Sequence, residues 1–159
     1  MQEVLAHMWA TPFVSPTTNM TTSVNTNRYY MTPDIETGNE LIDSEHIQIF
    51  DAVNELLDAC SSGYGRDKIA QTAEFLAGYV SKHFSDEERL QKKCKYPNME
   101  KHLKFHIKYK KDVADFVSRM KTEGATVQTL GELNGLASTL INHIRHEDKR
   151  LAAYIREKS

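Results

Sequence analysis

Along most of the chain the apolar residues recur at steps of three and four, the spacing of one face of an α-helix. The first such stretch begins near residues 39–41 and runs to about Cys60. Its apolar set is Leu41, Ile42, Ile49, Phe50, Val53, Leu56 and Leu57, and Ser61-Ser62-Gly63-Tyr64-Gly65 ends it. The second covers residues 66–93, with Ile69, Thr72, Leu76, Tyr79, Val80 and Leu90 along one face. Tyr96-Pro97-Asn98 is the next break, and Pro97 suits the first turn of a new helix because that turn has no use for its missing N–H. The third helix is expected over residues 97–122, through Met99, Phe105, Tyr109, Val113, Phe116 and Met120, with Gly124 closing it. The fourth is expected without interruption over residues 126–156, through Leu130, Leu133, Leu136, Leu140, Ile141, Ile144, Leu151 and Ile155. No alternating strand pattern competes with these four. Amphipathic helices joined by short breaks predict an all-α, up-down-up-down four-helix bundle over residues 29–159. Residues 29–40 read as an extended lead-in with a turn at Thr37-Gly38-Asn39.

Residues 1–28 differ from the rest. A polar run from Thr17 to Asn27 has no helical period, and Pro12 and Pro16 punctuate the segment. A disordered extension is the expectation, with Met20 and Met31 as alternative starts. There is no basic start followed by a long apolar region, so no signal peptide is expected. Trp9 and His7 receive no role.

Composition narrows the picture without deciding it. The 159 residues suffice for one domain with a real core, and 40% hydrophobic and 26% charged residues are ordinary for a globular protein. A formal net charge of −2 gives no electrostatic attraction to nucleic acid or to an anionic membrane. No apolar run approaches a membrane span. Cys60 and Cys94 form no disulfide framework, so a reducing cytoplasm is the expected location. Cys94 reads as an ordinary thiol near a helix end.

The chemistry lies in the polar residues that fall on the apolar stripes. His83 and Glu87 are four apart, as are His102 and His106, so each pair projects from one face of its helix. His46 continues the stripe of Ile42, Ile49 and Phe50. The fourth helix carries His143-Ile144-Arg145-His146-Glu147-Asp148. Each of these alone has an ordinary explanation: a hydrogen-bonded core histidine, or a surface pair worth roughly 0.2–0.5 kcal/mol. Together they place five imidazoles and two carboxylates at the centre of one bundle, which is too many for one ion and suits two bridged ions. His146, one turn from His143, reads as exposed. Imidazole and carboxylate without thiolate favour iron or zinc. There is no HExxH, and no histidine follows a glutamate by three, so neither a zinc hydrolase nor a ferritin-like di-iron pattern fits. Helical spacing alone selects Glu147, four after His143, because Asp148 at five lies about 140° away around an ideal helix.

These stretches resemble the hemerythrin family in its bacterial single-domain form. They are Thr37-Gly38-Asn39 through Ser44-Glu45-His46, His83-Phe84 with Glu87-Glu88, Tyr96-Pro97 with His102 and His106, and His143-Ile144 with Asp148. The likeness covers about residue 31 onward. It implies a centre of two iron ions joined by an oxo or hydroxo bridge, which binds O2 reversibly. By the resemblance His102, His106 and His143 hold one iron. His46 and His83 hold the other, which keeps an open position, and Glu87 and the fourth-helix carboxylate Asp148 bridge the two. Leu140 and Phe84 match positions that line an apolar oxygen pocket. Met31 departs from the tryptophan usual before the Thr-Pro of the lead-in. The reading is an oxygen-binding protein and not an enzyme, monomeric or weakly self-associating. A sensor of O2, nitric oxide or redox state acting through a partner, or a di-iron peroxidase or oxidase, are the alternatives.

Overall fold

The computed structural model describes residues 28–159. The expected disorder of the segment before Arg28 lies outside the described residues. Arg28 itself is ordered against the bundle, paired with Asp58 at 2.8 Å.

The described residues form α1 (Glu40–Ser61), α2 (Arg66–Cys94), α3 (Met99–Glu123), α4 (Val127–His143), a π-turn (Ile144–Asp148) and α5 (Lys149–Lys158). The arrangement is the expected helical bundle, and no strand occurs among the described residues. Two boundaries differ from expectation. Pro97 lies in the turn before α3, whose first residue is Met99. The fourth helix is not continuous: its hydrogen-bond ladder widens by one residue at the π-turn, where the Lys149 N–H reaches the Ile144 carbonyl.

Local chemistry sets each end. The Asn39 side chain accepts from the Ile42 N–H at 3.0 Å and caps α1. Asp43 in the same turn accepts from the Thr37 hydroxyl at 2.7 Å and from the Gly38 N–H at 3.1 Å, which fixes the turn. Gly38 has a φ of +85°, and a Cβ there would come within 2.8 Å of Arg156, whose guanidinium donates to the Thr37 carbonyl. Thr126 and Thr129 form a reciprocal capping box at the start of α4. The lead-in straps across the bundle: the Tyr29 N–H donates to Asn54 of α1 at 2.8 Å, and its hydroxyl donates to Asn134 of α4 at 2.6 Å.

The apolar stripes meet in one main cluster that includes Ile49, Phe50, Leu56, Leu76, Val80, Phe84, Phe116, Met120, Leu133, Leu140 and Ile144, and Met31 packs on its edge. A smaller cluster of Ile42, Tyr96 and Leu151 closes the other end. Between them lies a layer of buried polar residues. Replacing the larger cluster's side chains by Ala is the kind of change that costs about 2–5 kcal/mol each, so the core is rigid enough to hold that layer in place.

Candidate metal centre

The polar layer is built by all four helical rods. α1 supplies His46, α2 supplies His83 and Glu87, α3 supplies His102 and His106, α4 ends on His143, and the π-turn ends on Asp148. None of the seven is more than 4% exposed. Burial of this kind is costly for polar side chains that lack partners. Yet His46 Nε2, His83 Nε2, His106 Nε2 and both carboxylate oxygens of Glu87 and Asp148 make no hydrogen bond.

These atoms are nonetheless crowded. His46 Nε2 stands 3.0 Å from Asp148 Oδ2, His83 Nε2 3.2 Å from Glu87 Oε1, and His106 Nε2 3.4 Å from the same oxygen. His102 Nε2 and His143 Nε2 face each other at 3.1 Å, and each lies 3.1 Å from Asp148 Oδ1. Apart from the His102–His143 pair, these atoms lie close together without hydrogen-bond alignment, an arrangement that suits a cation between them. Among the described residues the ligand atoms group as His102, His106 and His143, as His46, His83 and Asp148, and as Glu87, His102 and Asp148, each set lying within 4.8 Å. The donor set therefore fits two neighbouring cations that share carboxylates. All seven candidates from the sequence come together here.

The π-turn explains the fifth-residue spacing. In i→i+5 hydrogen bonding the residue five along stands over its predecessor, so Asp148 comes to the same side as His143. Glu147 points outward and pairs with Arg150 at 3.2 Å. His146 is exposed, as expected.

Carboxylates and imidazoles in the layer shift one another. Burial and the nearby Asp148 carboxylate raise the Glu87 acid, but the imidazoles of His102, His106 and His83 crowded around it overcome them and hold it at about 2. Asp148 is likewise buried, and His102, His143 and His46 hold it well below the usual carboxylate range. Burial disfavours the charged form of His83, yet Glu45 and Glu87 lift it to about 10. The same contest, with Asp148 and Glu87 as the opposing carboxylates, lifts His102 to about 9.

Residues with no assigned role in the sequence reading complete the surroundings. Glu45, only 4% exposed, meets His83 Nδ1 at 3.2 Å, and Lys82 crosses to Glu45 at 2.7 Å and to Asp86 at 2.9 Å. Glu88 meets His106 Nδ1 at 3.4 Å. Such carboxylates fix which nitrogen of the imidazole faces the metal and make it more basic. The sequence signal was adjacency: Glu45 precedes His46 and Glu88 follows Glu87, inside the stretches that carry the family resemblance. Phe84 is fully buried and stacks on His106 at 3.8 Å, and Phe105 stacks on His143 at 3.7 Å. Leu140 lines a small enclosed apolar cavity with Val80, Tyr109 and Val113. The one hydroxyl there, of Tyr109, is used on the Leu136 carbonyl at 2.8 Å.

No helix among the described residues is long and apolar enough to cross a membrane. A family model described as the hemerythrin HHE cation binding domain matches residues 37–155. A bacteriohemerythrin of Pseudomonas aeruginosa is 34% identical over 116 residues, 72% of this chain and 73% of that one. A myohemerythrin of Theromyzon tessulatum is 31% identical over 111 residues, 69% of this chain and 78% of the other. The crystal structure of a hemerythrin mutant, 27% identical, superposes with a TM-score of 0.71 over 80% of this chain and 95% of that one.

Proposed function

The chain belongs to the hemerythrin family, and from that premise we propose that it is a non-haem di-iron protein that binds O2 reversibly, for storage, delivery or scavenging. When bound, two ferrous ions supply the electrons that O2 takes up and recover them as it leaves. In this reading His102, His106 and His143 hold one ion, and His46 and His83 hold the other. Glu87 and Asp148 would be shared between the two. With two imidazoles against three, the His46 and His83 side would leave room for O2.

The observation that carries the proposal is a buried cluster of five imidazoles and two carboxylates, grouped as His102, His106 and His143 and as His46 and His83 with Asp148, in which both carboxylates and the facing nitrogens of His46, His83 and His106 lack hydrogen-bond partners. The remaining residues act by orientation and exclusion. Glu45 and Glu88 hold His83 and His106 by their outer nitrogens. Phe84 and Phe105 lie flat on two imidazoles and keep water from that side of the site. Leu140, at the enclosed cavity, and Phe84, against His106, would keep the oxygen side of the site apolar and limit access of water and protons.

An optical titration tests this. The protein is loaded with iron, reduced without oxygen, exposed to O2 and then purged. A visible charge-transfer band that appears with O2 and vanishes on purging is the expected result. Immediate conversion to a stable oxidised spectrum would rule out reversible binding and favour an enzyme or sensor.

A further inference from the structure

Gln91 lies on the ligand-bearing face of α2, four residues after Glu87. It is completely buried, and neither its amide oxygen nor its amide nitrogen has a hydrogen-bond partner. A buried amide left unpaired costs about 1–3 kcal/mol, so its presence here calls for a use. Its own backbone is fully occupied: the Gln91 carbonyl ends the helix by accepting from the Tyr96 N–H at 2.9 Å.

The surroundings indicate that use. Helical side chains lean toward the N-terminus of their helix, so the amide leans back toward Glu87. Glu87 lies 3.8 Å from His102 Nε2. Tyr96, bonded to Gln91, sets its ring edge against the His102 ring with centroids 6.3 Å apart. His102 carries the matching deficit, since its Nδ1 is buried and has no partner. A neutral imidazole has one N–H. If Nε2 gives its lone pair to a metal, Nδ1 holds the proton and needs an acceptor. His83 and His106 meet Glu45 and Glu88 through that nitrogen. His46 Nδ1 is also unpartnered, but His46 packs on His83, two turns of α2 away from Gln91.

We propose that Gln91 is the positioning residue for His102, its amide oxygen accepting the Nδ1–H directly or through one buried water when the centre is loaded. The inference rests on the di-iron reading above. It predicts an asymmetry, because only in the loaded protein does the amide help to hold a metal ligand.

The test compares the parent with Gln91→Leu, Gln91→Met and Gln91→Glu. In Gln91→Leu, iron should leave to a ferrous chelator about 10–100-fold faster, the loss usual when a metal-bound histidine loses its outer partner. The metal-free Gln91→Leu protein should melt no lower than the metal-free parent. Gln91→Met repeats the comparison with a flexible side chain should leucine pack badly. Gln91→Glu, which keeps an acceptor at the same reach, should release iron at close to the parental rate. Unchanged iron release in both apolar variants overturns the proposal. So does an equal fall in melting temperature with and without iron, which marks a purely structural residue. A parent that takes up no iron overturns the di-iron reading itself, and this inference with it.

Discussion

Asp148 and Glu147 are adjacent acids with opposite surroundings. Asp148 is fully buried among His46, His102 and His143, whereas Glu147 sits at the surface beside Arg150. Asp148→Ala is therefore expected to abolish the di-iron absorption of iron-loaded protein, and Glu147→Ala to leave it intact. Visible spectra of the two variants, normalised to protein, check this, and the reverse pattern would refute the assignment of the fourth-helix carboxylate. At this scale the chain was unevenly readable. His46, His83, Glu87, His102, His106 and His143 declared themselves because each is a polar residue at an apolar position. Glu45, Glu88 and Gln91 did not, because an acid or amide on a helix is ordinarily solvated. Their burial is decided by the packing of neighbouring helices, which no local pattern carries.

The helices themselves were legible from their period, and their ends less so. The three-and-four spacing located every rod to within a few residues because burial of one face is what stabilises a helix. The π-turn was not legible. Five residues of widened helix have no period of their own, and the only trace was the misfit of Asp148 with His143. The end of α2 is the other departure from pattern. Lys95 stops that helix in the left-handed region at a φ of 55°, where glycine is usual and a side chain is strained. It keeps the turn compact enough for the Tyr96 N–H to return to Gln91. Lys95→Gly should raise stability by roughly 0.5–1 kcal/mol, the relieved strain less the added freedom of the unfolded chain. Thermal melts of metal-free protein measure it. A loss of stability would mean that Lys95 makes contacts that outweigh its strain.

For the molecule as a whole, metal binding and folding compete for the same protons. In the metal-free protein Glu87 and Asp148 are held ionised, and His83 and His102 are held protonated to about 10 and about 9, each by the carboxylates beside it. An imidazole that ligates a metal must first be neutral. Iron uptake at neutral pH should therefore expel about two protons, one from each of these histidines. The stability slopes follow with opposite sign. Histidines raised from 6.5 in the unfolded chain stabilise the metal-free fold fully below that pH, and the contribution is lost as pH rises through about 9 to 10. Glu87, lowered from 4.5, contributes above that value and loses its contribution as pH falls toward about 2. From pH 6.5 upward, then, metal-free protein weakens while the metal binds more tightly, so the gap in melting temperature between loaded and metal-free protein should widen with pH. Anaerobic ferrous titration in weak buffer with a pH indicator gives the proton count, and paired melts across pH 6 to 9 give the gap. Fewer than one proton released, with a gap that stays constant, would mean that the histidines are already neutral before metal arrives, and that the metal-free core stores uncompensated carboxylate charge instead of paired ions.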